Sequence, residues 1–333
     1  MHPVALHSRV ACRVRIWTGL QRLLERRADG AAVLAYHGVV PRGRDPMLDS
    51  YTIDADAFRS HLRFFGGARE VVPLRRIVEC LAHREPMPRE WVAITLDDAL
   101  ENQVTTAAEI LADAGFPWAL AVPAGLIDTG RSIWTYELRF LLLECWRHPR
   151  VSWPSDGPRE LPTRTVVEKR EALRQLIPHL FNQVDDGKRT TYLERLIDRA
   201  GRAEFRERMA ADARFTLASW AQLWTLRAAG VELLSHGWHH RPQNATIGEQ
   251  ALVEEIVHSR RLMGERLGEA PAGFALPHGV KSPATDDLID AAGYSYCLSS
   301  QPRRVTTGGH RGHIPRFAAE YPLTVLRRHV LRR

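Results

Sequence analysis

The sequence predicts an α/β protein in which helices cover a parallel sheet that is either open or closed into a barrel. Short apolar runs, such as residues 31–40 and 91–96, read as buried strands. Stretches with apolar residues at helical spacing lie between these runs, and one of them stops at Gly115. Alternation of strands and helices along a chain is typical of a parallel sheet.

Composition is that of an ordinary globular protein, with 44% hydrophobic and 26% charged residues among 333. The net charge of +7 suits an anionic partner. There is neither zinc-finger spacing nor an aromatic RNA-binding strand, so we expect no nucleic acid partner. The four cysteines form no CxxC pair, which favours a reducing compartment.

Residues 1–30 form a basic segment in which Val, Ile, Trp and Leu alternate with arginines at rough helical spacing. We expect either a helix packed on the domain or a helix lying on an anionic membrane surface. Arginines interrupt every apolar run, so no secretory signal is predicted. The expected location is cytoplasmic, with peripheral attachment to the inner face of the membrane as the alternative.

The first half of the sheet is predicted within residues 31–130. After the strand at 31–40, a helix is expected to begin at Asp54 or Asp56. The buried strand "WVAITLDD" and the helix "ENQVTTAAEILADAG" follow, and then a third strand, "FPWALAVPAG".

Residues 131–215 are rich in Arg, Leu and Glu at helical spacing and carry few strand signals, which predicts a helical insertion. The alternation of helices and strands resumes in residues 216–333 and supplies the strands "VELLSHGWHH", "AGFALPHG" and "YSYCLSS".

Polar side chains stand at four predicted strand ends: Asp97 and Asp98, His37, His236, and His278. In parallel α/β architectures the working residues lie just past the carboxyl ends of the strands. We therefore expect these side chains to converge on one face.

His236 and His240 lie four residues apart, a spacing at which two imidazoles can bind one metal ion. The metalloprotease pattern HExxH is excluded by Gly237 and Trp238. Two histidines and one carboxylate make a common catalytic metal set, which suits Zn²⁺ and leaves Co²⁺, Ni²⁺, Mn²⁺ and Fe²⁺ open. Of the two adjacent aspartates, one is expected to bind the metal and the other to take a proton from water.

The motifs "TLDD", "SHGWHH" and "FALPHG" resemble the first three motifs of the polysaccharide deacetylases, the NodB-type carbohydrate esterases. "AYHGVV" resembles the N-terminal Y-H-x-V strand of a permuted branch of that family. The resemblance covers Val33 to about Arg316, apart from the insertion. It implies a distorted (β/α) barrel of about seven strands.

The resemblance also implies roles for individual residues. Asp97 would be the general base, His37 the general acid, and Asp98, His236 and His240 the metal ligands. The substrate and oxyanion contacts would come from Pro277, His278 and Gly279, with a backbone N–H at His278 helping to hold the oxyanion.

Further candidates surround this set. Trp238 is expected either to stack on a sugar ring or to pack on the barrel rim. His278 could serve as a second acid, and His310 and His313 are rival acids. Arg316 either pairs with an acidic site residue or is an ordinary structural arginine.

Three positions depart from the family motifs. Leu96 replaces phenylalanine, and Ala99 replaces a glycine beside the metal ligand, where a backbone with positive φ would resist alanine. Ala275 stands where many members have an arginine that orients the base.

The predicted activity is metal-dependent removal of acetate from an N-acetylated sugar, which is a glycan, a lipid-linked or nucleotide-linked sugar, or part of a metabolite. One alternative is a sugar-binding or assembly protein that keeps the fold without turnover, and Ala99 and the altered third motif are its support. The other is a deformylase acting on a lipid-linked amino sugar.

Overall fold

The computed structural model describes residues 30–41, 45–154, 159–307 and 312–332. The basic segment predicted at residues 1–30 lies outside these ranges except for Gly30. His310 also lies outside them.

The strands are short and most of them belong to a single parallel sheet. They are β1 (Ala32–Tyr36), β2 (Gly38–Val40), β3 (Thr52–Asp54), β4 (Glu70–Val71), β5 (Trp91–Leu96), β6 (Trp118–Val122), β7 (Arg150–Ser152), β8 (Glu160–Pro162), β9 (Glu232–Ser235), β10 (Gly273–Ala275), β11 (Tyr296–Ser299), β12 (His313–Pro315) and β13 (Phe317–Ala318).

The helices alternate with these strands. They are α1 (Ala55–Ala68), α2 (Leu74–His83), α3 (Ala108–Ala114), α4 (Trp134–Phe140), α5 (Val166–Asn182), α6 (Asp186–Ala200), α7 (Arg202–Ala210), α8 (Trp220–Ala228), α9 (Glu249–Val253), α10 (Ser259–Leu267), α11 (Thr285–Ala291) and α12 (Leu323–Arg332). π-helical turns cover Gln103–Ala107, Leu141–Cys145 and Glu254–His258. No helix among the described residues is both long and apolar enough to cross a membrane.

Several predicted boundaries match the chain. Asp54 is the N-cap of α1, and Gly115 ends α3 with a φ of 67°, a left-handed conformation that glycine adopts without strain. In the insertion, α5 begins with a capping box in which Thr165 and Glu168 satisfy each other's backbone N–H groups.

The main sheet runs in the order β12-β11-β10-β9-β6-β5-β1-β13, and β4 also pairs with β5. All its strand pairings are parallel. Only Arg316 separates β12 from β13, so one segment pairs with β11 at its start and with β1 at its end. That segment joins the two edges of the sheet, and the predicted distorted barrel is confirmed. The barrel has seven strands if β12 and β13 are counted as one strand.

The central strands β1, β5 and β6 are buried along their whole length, because helices cover the outside of the barrel. Small residues such as Val33 and Ala93 form one core cluster, while Leu34 and Ile94 pack with the helices in another. Side chains alternate between the two faces of a strand, so Ala35 and Asp97 share the inner face with Val33 and Ala93.

Residues 131–215, which the sequence predicts to be an insertion, contain helices α4 to α7 and most of a hydrophobic cluster that includes Trp146, Leu176 and Phe205. They also contain the antiparallel hairpin of β7 and β8, which the sequence did not predict. Each hairpin strand has only three residues, too few for a two-residue alternation to stand out.

Candidate metal-dependent active site

The turn after β5 separates two adjacent carboxylates. Asp98 and Ala99 have φ values of 87° and 51°, so the chain turns sharply there. The Gln103 amide clamps the turn: its Nε2 donates to the Asp97 carbonyl (2.5 Å) and its Oε1 accepts from the Leu100 N–H (2.8 Å). The two carboxylates consequently meet different partners.

Asp97 is held by Arg316 in a bidentate ion pair, with both N···O distances at 2.7 Å. Arg316 also donates to the Thr95 hydroxyl, and both members of the pair are buried. Burial raises the pKa of Asp97, but the Arg316 charge outweighs it and brings the pKa to about 2. Arg316 is therefore the partner of an acidic site residue and not an ordinary structural arginine. Arg316 thus supplies the cationic partner of Asp97, which Ala275 cannot.

Asp98 faces two imidazoles. Its Oδ1 lies 3.5 Å from His236 Nε2 and 3.3 Å from His240 Nε2, and the two nitrogens are 3.1 Å apart. A tetrahedral Zn²⁺ with bonds of about 2.05 Å would hold its ligand atoms about 3.3 Å apart, so this triangle has the size of a metal site. These three residues form the one such cluster found within the described ranges.

The surroundings of the triad also fit a metal. His236 Nδ1 donates to the Ala275 carbonyl (2.8 Å), which leaves the Nε2 lone pair directed at the cluster. Burial lowers the pKa of His240 to about 3, so this imidazole is neutral at physiological pH. Tyr136 donates its hydroxyl proton to Asp98 Oδ2 (2.6 Å), whereas the buried Oδ1 makes no hydrogen bond to a described residue. Three ligand atoms therefore converge on a point where they could hold a divalent cation.

The loop carrying the two histidines is fixed by a buried glutamate. The Glu255 carboxylate accepts from the backbone N–H groups of Trp238 (3.0 Å), His239 (2.8 Å) and Arg241 (3.2 Å). A Cβ on Gly237 would lie 2.2 Å from Glu255 Oε2, so the glycine lets the loop close on the carboxylate. Glu255 was not singled out from the sequence.

His37, at the end of β1, forms an ion pair with Glu320, in which Nδ1 lies 2.6 Å from Oε1. Burial lowers the pKa of His37, but the adjacent Glu320 carboxylate overrides this and raises it to about 10. At neutral pH the imidazole is therefore protonated, the state in which it can donate a proton. Glu320 was not anticipated either.

These groups line one pocket of about 460 Å³. Its wall includes His37, Asp97, Asp98, His236 and His240, together with His278, Gly279, Tyr136 and Arg139. The convergence expected from the strand ends is therefore present.

Other candidates lie elsewhere. Pro277 and Trp238 do not line this pocket; the Trp238 ring packs so closely on Gly125 that a Cβ there would lie 2.4 Å from it. Of the two roles considered for Trp238, this contact corresponds to packing on the barrel and not to stacking on a sugar ring. His313 lies away from the pocket, with Nε2 3.4 Å from Asp286 Oδ1. The backbone N–H of His278 donates to no described backbone carbonyl.

The fold and the site define a class: parallel barrels with a buried Asp-His-His cluster that could bind a metal and a separate buried aspartate. The family model of polysaccharide deacetylase matches residues 178–297, which contain both site histidines and the 277–279 turn. The resemblance to this family is thereby confirmed, and the chain falls among hydrolases that act on amide bonds. No curated protein matches the sequence.

Solved structures share the fold. IcaB from Ammonifex degensii superposes with a TM-score of 0.59 at 16% identity, over 92% of this chain and 98% of that one. The deacetylase PplD from Streptococcus pyogenes, solved in complex with acetate, gives 0.55 at 12% identity over 87% and 92%. The de-N-acetylase from Aggregatibacter actinomycetemcomitans gives 0.53 at 14% identity over 91% and 100%.

Proposed function

We propose that this protein is a metal-dependent N-deacetylase that hydrolyses the acetamide of an N-acetylated sugar and releases acetate. The observation that carries the proposal is the convergence of Asp98, His236 and His240 in a pocket that also contains a paired carboxylate, Asp97, and a paired imidazole, His37. An amide hydrolase needs one group to accept a proton from water and another to give a proton to the departing amine.

Asp98, His236 and His240 would hold the metal, for which Zn²⁺ is the best match and Co²⁺, Ni²⁺, Mn²⁺ or Fe²⁺ the alternatives. When bound, the ion would polarise the acetamide carbonyl and lower the pKa of water. Asp97 would act as the base, because Arg316 keeps it ionised and fixes its direction.

The remaining steps would fall to His278 and His37, which line the same pocket. The backbone N–H of His278, which donates to no described backbone carbonyl, would donate to the oxyanion as the carbonyl becomes tetrahedral. His37, kept protonated by Glu320, would then give its proton to the amine nitrogen, and the C–N bond would break. A neutral amine leaves far more readily than an amide anion.

The substrate is proposed to be a nucleotide-linked or lipid-linked sugar, or a sugar-containing metabolite, rather than a finished cell-wall polymer. A cytoplasmic location, with attachment to the inner face of an anionic membrane as a variant of it, goes with this proposal. The net charge of +7 supports a phosphorylated carrier.

The test is acetate release from a panel of N-acetylated sugars by protein that has been stripped with a chelator and reloaded with Zn²⁺ or Co²⁺. We expect activity only in the reloaded samples, and none in His236→Ala. Sugar binding without acetate from any substrate would support the non-catalytic alternative. Formate from an N-formylated amino sugar, with no acetate, would support the deformylase.

A further inference from the structure

One charged side chain in the active-site pocket has no hydrogen-bonding or ion-pair partner among the described residues. Arg139 is 6% exposed and lines the pocket, yet its buried Nε and Nη1 make no hydrogen bond. No described carboxylate lies within ion-pair distance of it. A buried cation is normally paired, since taking a charge out of water is costly.

Other charged groups that line the pocket form ion pairs with one another. Arg316 donates twice to Asp97, and His37 is paired with Glu320. Arg139 differs from both, so ion pairing within the pocket does not account for its burial.

The Tyr51 ring holds the Arg139 guanidinium in a position from which its N–H groups can bind an anion. The ring lies 5.0 Å from the guanidinium carbon and covers one side of it. Tyr51 is 43% exposed, so the stacked pair faces the opening of the pocket. The edge of a guanidinium carries its N–H groups in a planar fork that matches the oxygens of a carboxylate or phosphoryl group.

Helix α4 determines where an anion bound by Arg139 would lie relative to Asp98. Tyr136, three residues before Arg139, is on the same helix face and touches Asp98 with its hydroxyl. Arg139 and Asp98 both line the active-site pocket, so a group bound by Arg139 would share the pocket with this carboxylate. A group bound there would belong to the sugar being hydrolysed or to its immediate neighbour.

We propose that Arg139 binds an anionic group of the substrate, a phosphoryl or carboxylate oxygen pair close to the acetamide. The inference rests on the proposed deacetylase function and narrows its substrate to negatively charged N-acetylated sugars. The guanidinium N–H groups donate to the anion, and Tyr51 keeps the fork in plane.

The experiment compares three substrates: a neutral N-acetyl sugar, the same sugar as its 1-phosphate, and an N-acetylated uronic acid. Wild type is expected to favour one or both anionic forms by about 10-fold or more in kcat/KM, the size of a charge-assisted hydrogen bond. Arg139→Met should lower kcat/KM on the anionic substrates more than on the neutral sugar and so remove this preference, whereas Arg139→Lys should keep part of it. Which anionic substrate responds distinguishes phosphoryl from carboxylate.

The matched control is Arg261→Met, which removes an exposed arginine outside the pocket that is paired with Glu265. It should leave all three rates unchanged. Equal rates on neutral and anionic sugars in wild type, or an equal loss on all three in Arg139→Met, would overturn the inference while leaving the deacetylase proposal intact.

Failure of every sugar to release acetate would instead overturn the deacetylase proposal. Calorimetric binding then decides the inference about Arg139. Wild type should bind the sugar 1-phosphate or the uronic acid about 10-fold more tightly than the neutral sugar, and Arg139→Met should bind all three alike. Equal binding by wild type would contradict it.

Discussion

Replacing Glu320 by glutamine tests whether this carboxylate keeps His37 protonated. The two side chains meet at 2.6 Å, with exposures of 11% for Glu320 and 23% for His37. Glutamine preserves the shape and an acceptor oxygen but removes the charge. The pKa of His37 should therefore fall from about 10 towards its ordinary value of 6.5.

The size of the shift follows from the lost charge. A hydrogen bond between charged groups contributes about 1.5–3 kcal/mol, and 1.36 kcal/mol corresponds to one pKa unit, so a fall of about one to two units is expected. Because the pKa of His37 is raised in the folded state, its contribution to stability is complete below about 6.5 and is lost as the pH rises through about 10. In Glu320→Gln this loss should be complete at about pH 8–9.

The assay is the pH profile of kcat with the best substrate of the panel, combined with the free energy of unfolding measured across the same range. The alkaline limb of kcat should move down by about one to two units in Glu320→Gln. Glu265→Gln, which breaks an exposed pair with Arg261, should not move it. An alkaline limb that is the same in wild type and Glu320→Gln would refute His37 as the acid under the control of Glu320.

Four further changes probe the rest of the site and the insertion. Arg316→Met should destabilise the fold by about 3–5 kcal/mol in denaturant unfolding, because it strands a buried carboxylate, and should move the acid limb of kcat/KM to higher pH. His236→Ala should abolish stoichiometric Zn²⁺ binding in metal analysis. Glu255→Gln, with one acceptor oxygen for three backbone N–H groups, should weaken metal affinity and alter the absorption spectrum of the Co²⁺-loaded protein. Leu176→Ala, at a fully buried position, should cost about 2–5 kcal/mol of unfolding free energy, whereas exposed Val167→Ala should cost little.

The residues that the sequence identified are those governed by a local rule. Asp97, Asp98, His37 and His236 each follow a strand of the parallel sheet directly, and the carboxyl ends of such strands meet at one face. His240 was found through its spacing from His236. No tertiary contact had to be known for any of these predictions.

The residues that the sequence missed depend on contacts between distant segments. Glu320 follows the strand that closes the barrel, and it reaches His37 across 283 positions. Arg139 lies within a helix of the insertion, where an arginine reads as an ordinary solvated residue. Glu255 sits in the middle of an amphipathic stretch and looks like one more surface carboxylate. For Arg316 the sequence offered a pairing with an acidic site residue, but it did not show that the partner is Asp97.

Backbone strain at the site bears on whether Ala99, beside the proposed metal ligand Asp98, signals lost activity. Six non-glycine residues of the described chain have positive φ, and four of them belong to the site: Asp98, Ala99, His240 and His278. Left-handed backbone costs an L-residue about 1–2 kcal/mol, so such a concentration requires surroundings that enforce it. Gln103 enforces this backbone conformation in the turn that carries the aspartates, and Glu255 enforces it in the loop that carries the histidines.

Ala99 does have a positive φ, 51°, which is the backbone conformation that was expected to disfavour alanine at this position. Asp98 nevertheless faces both histidines, so the alanine costs stability while the geometry of the ligands is kept.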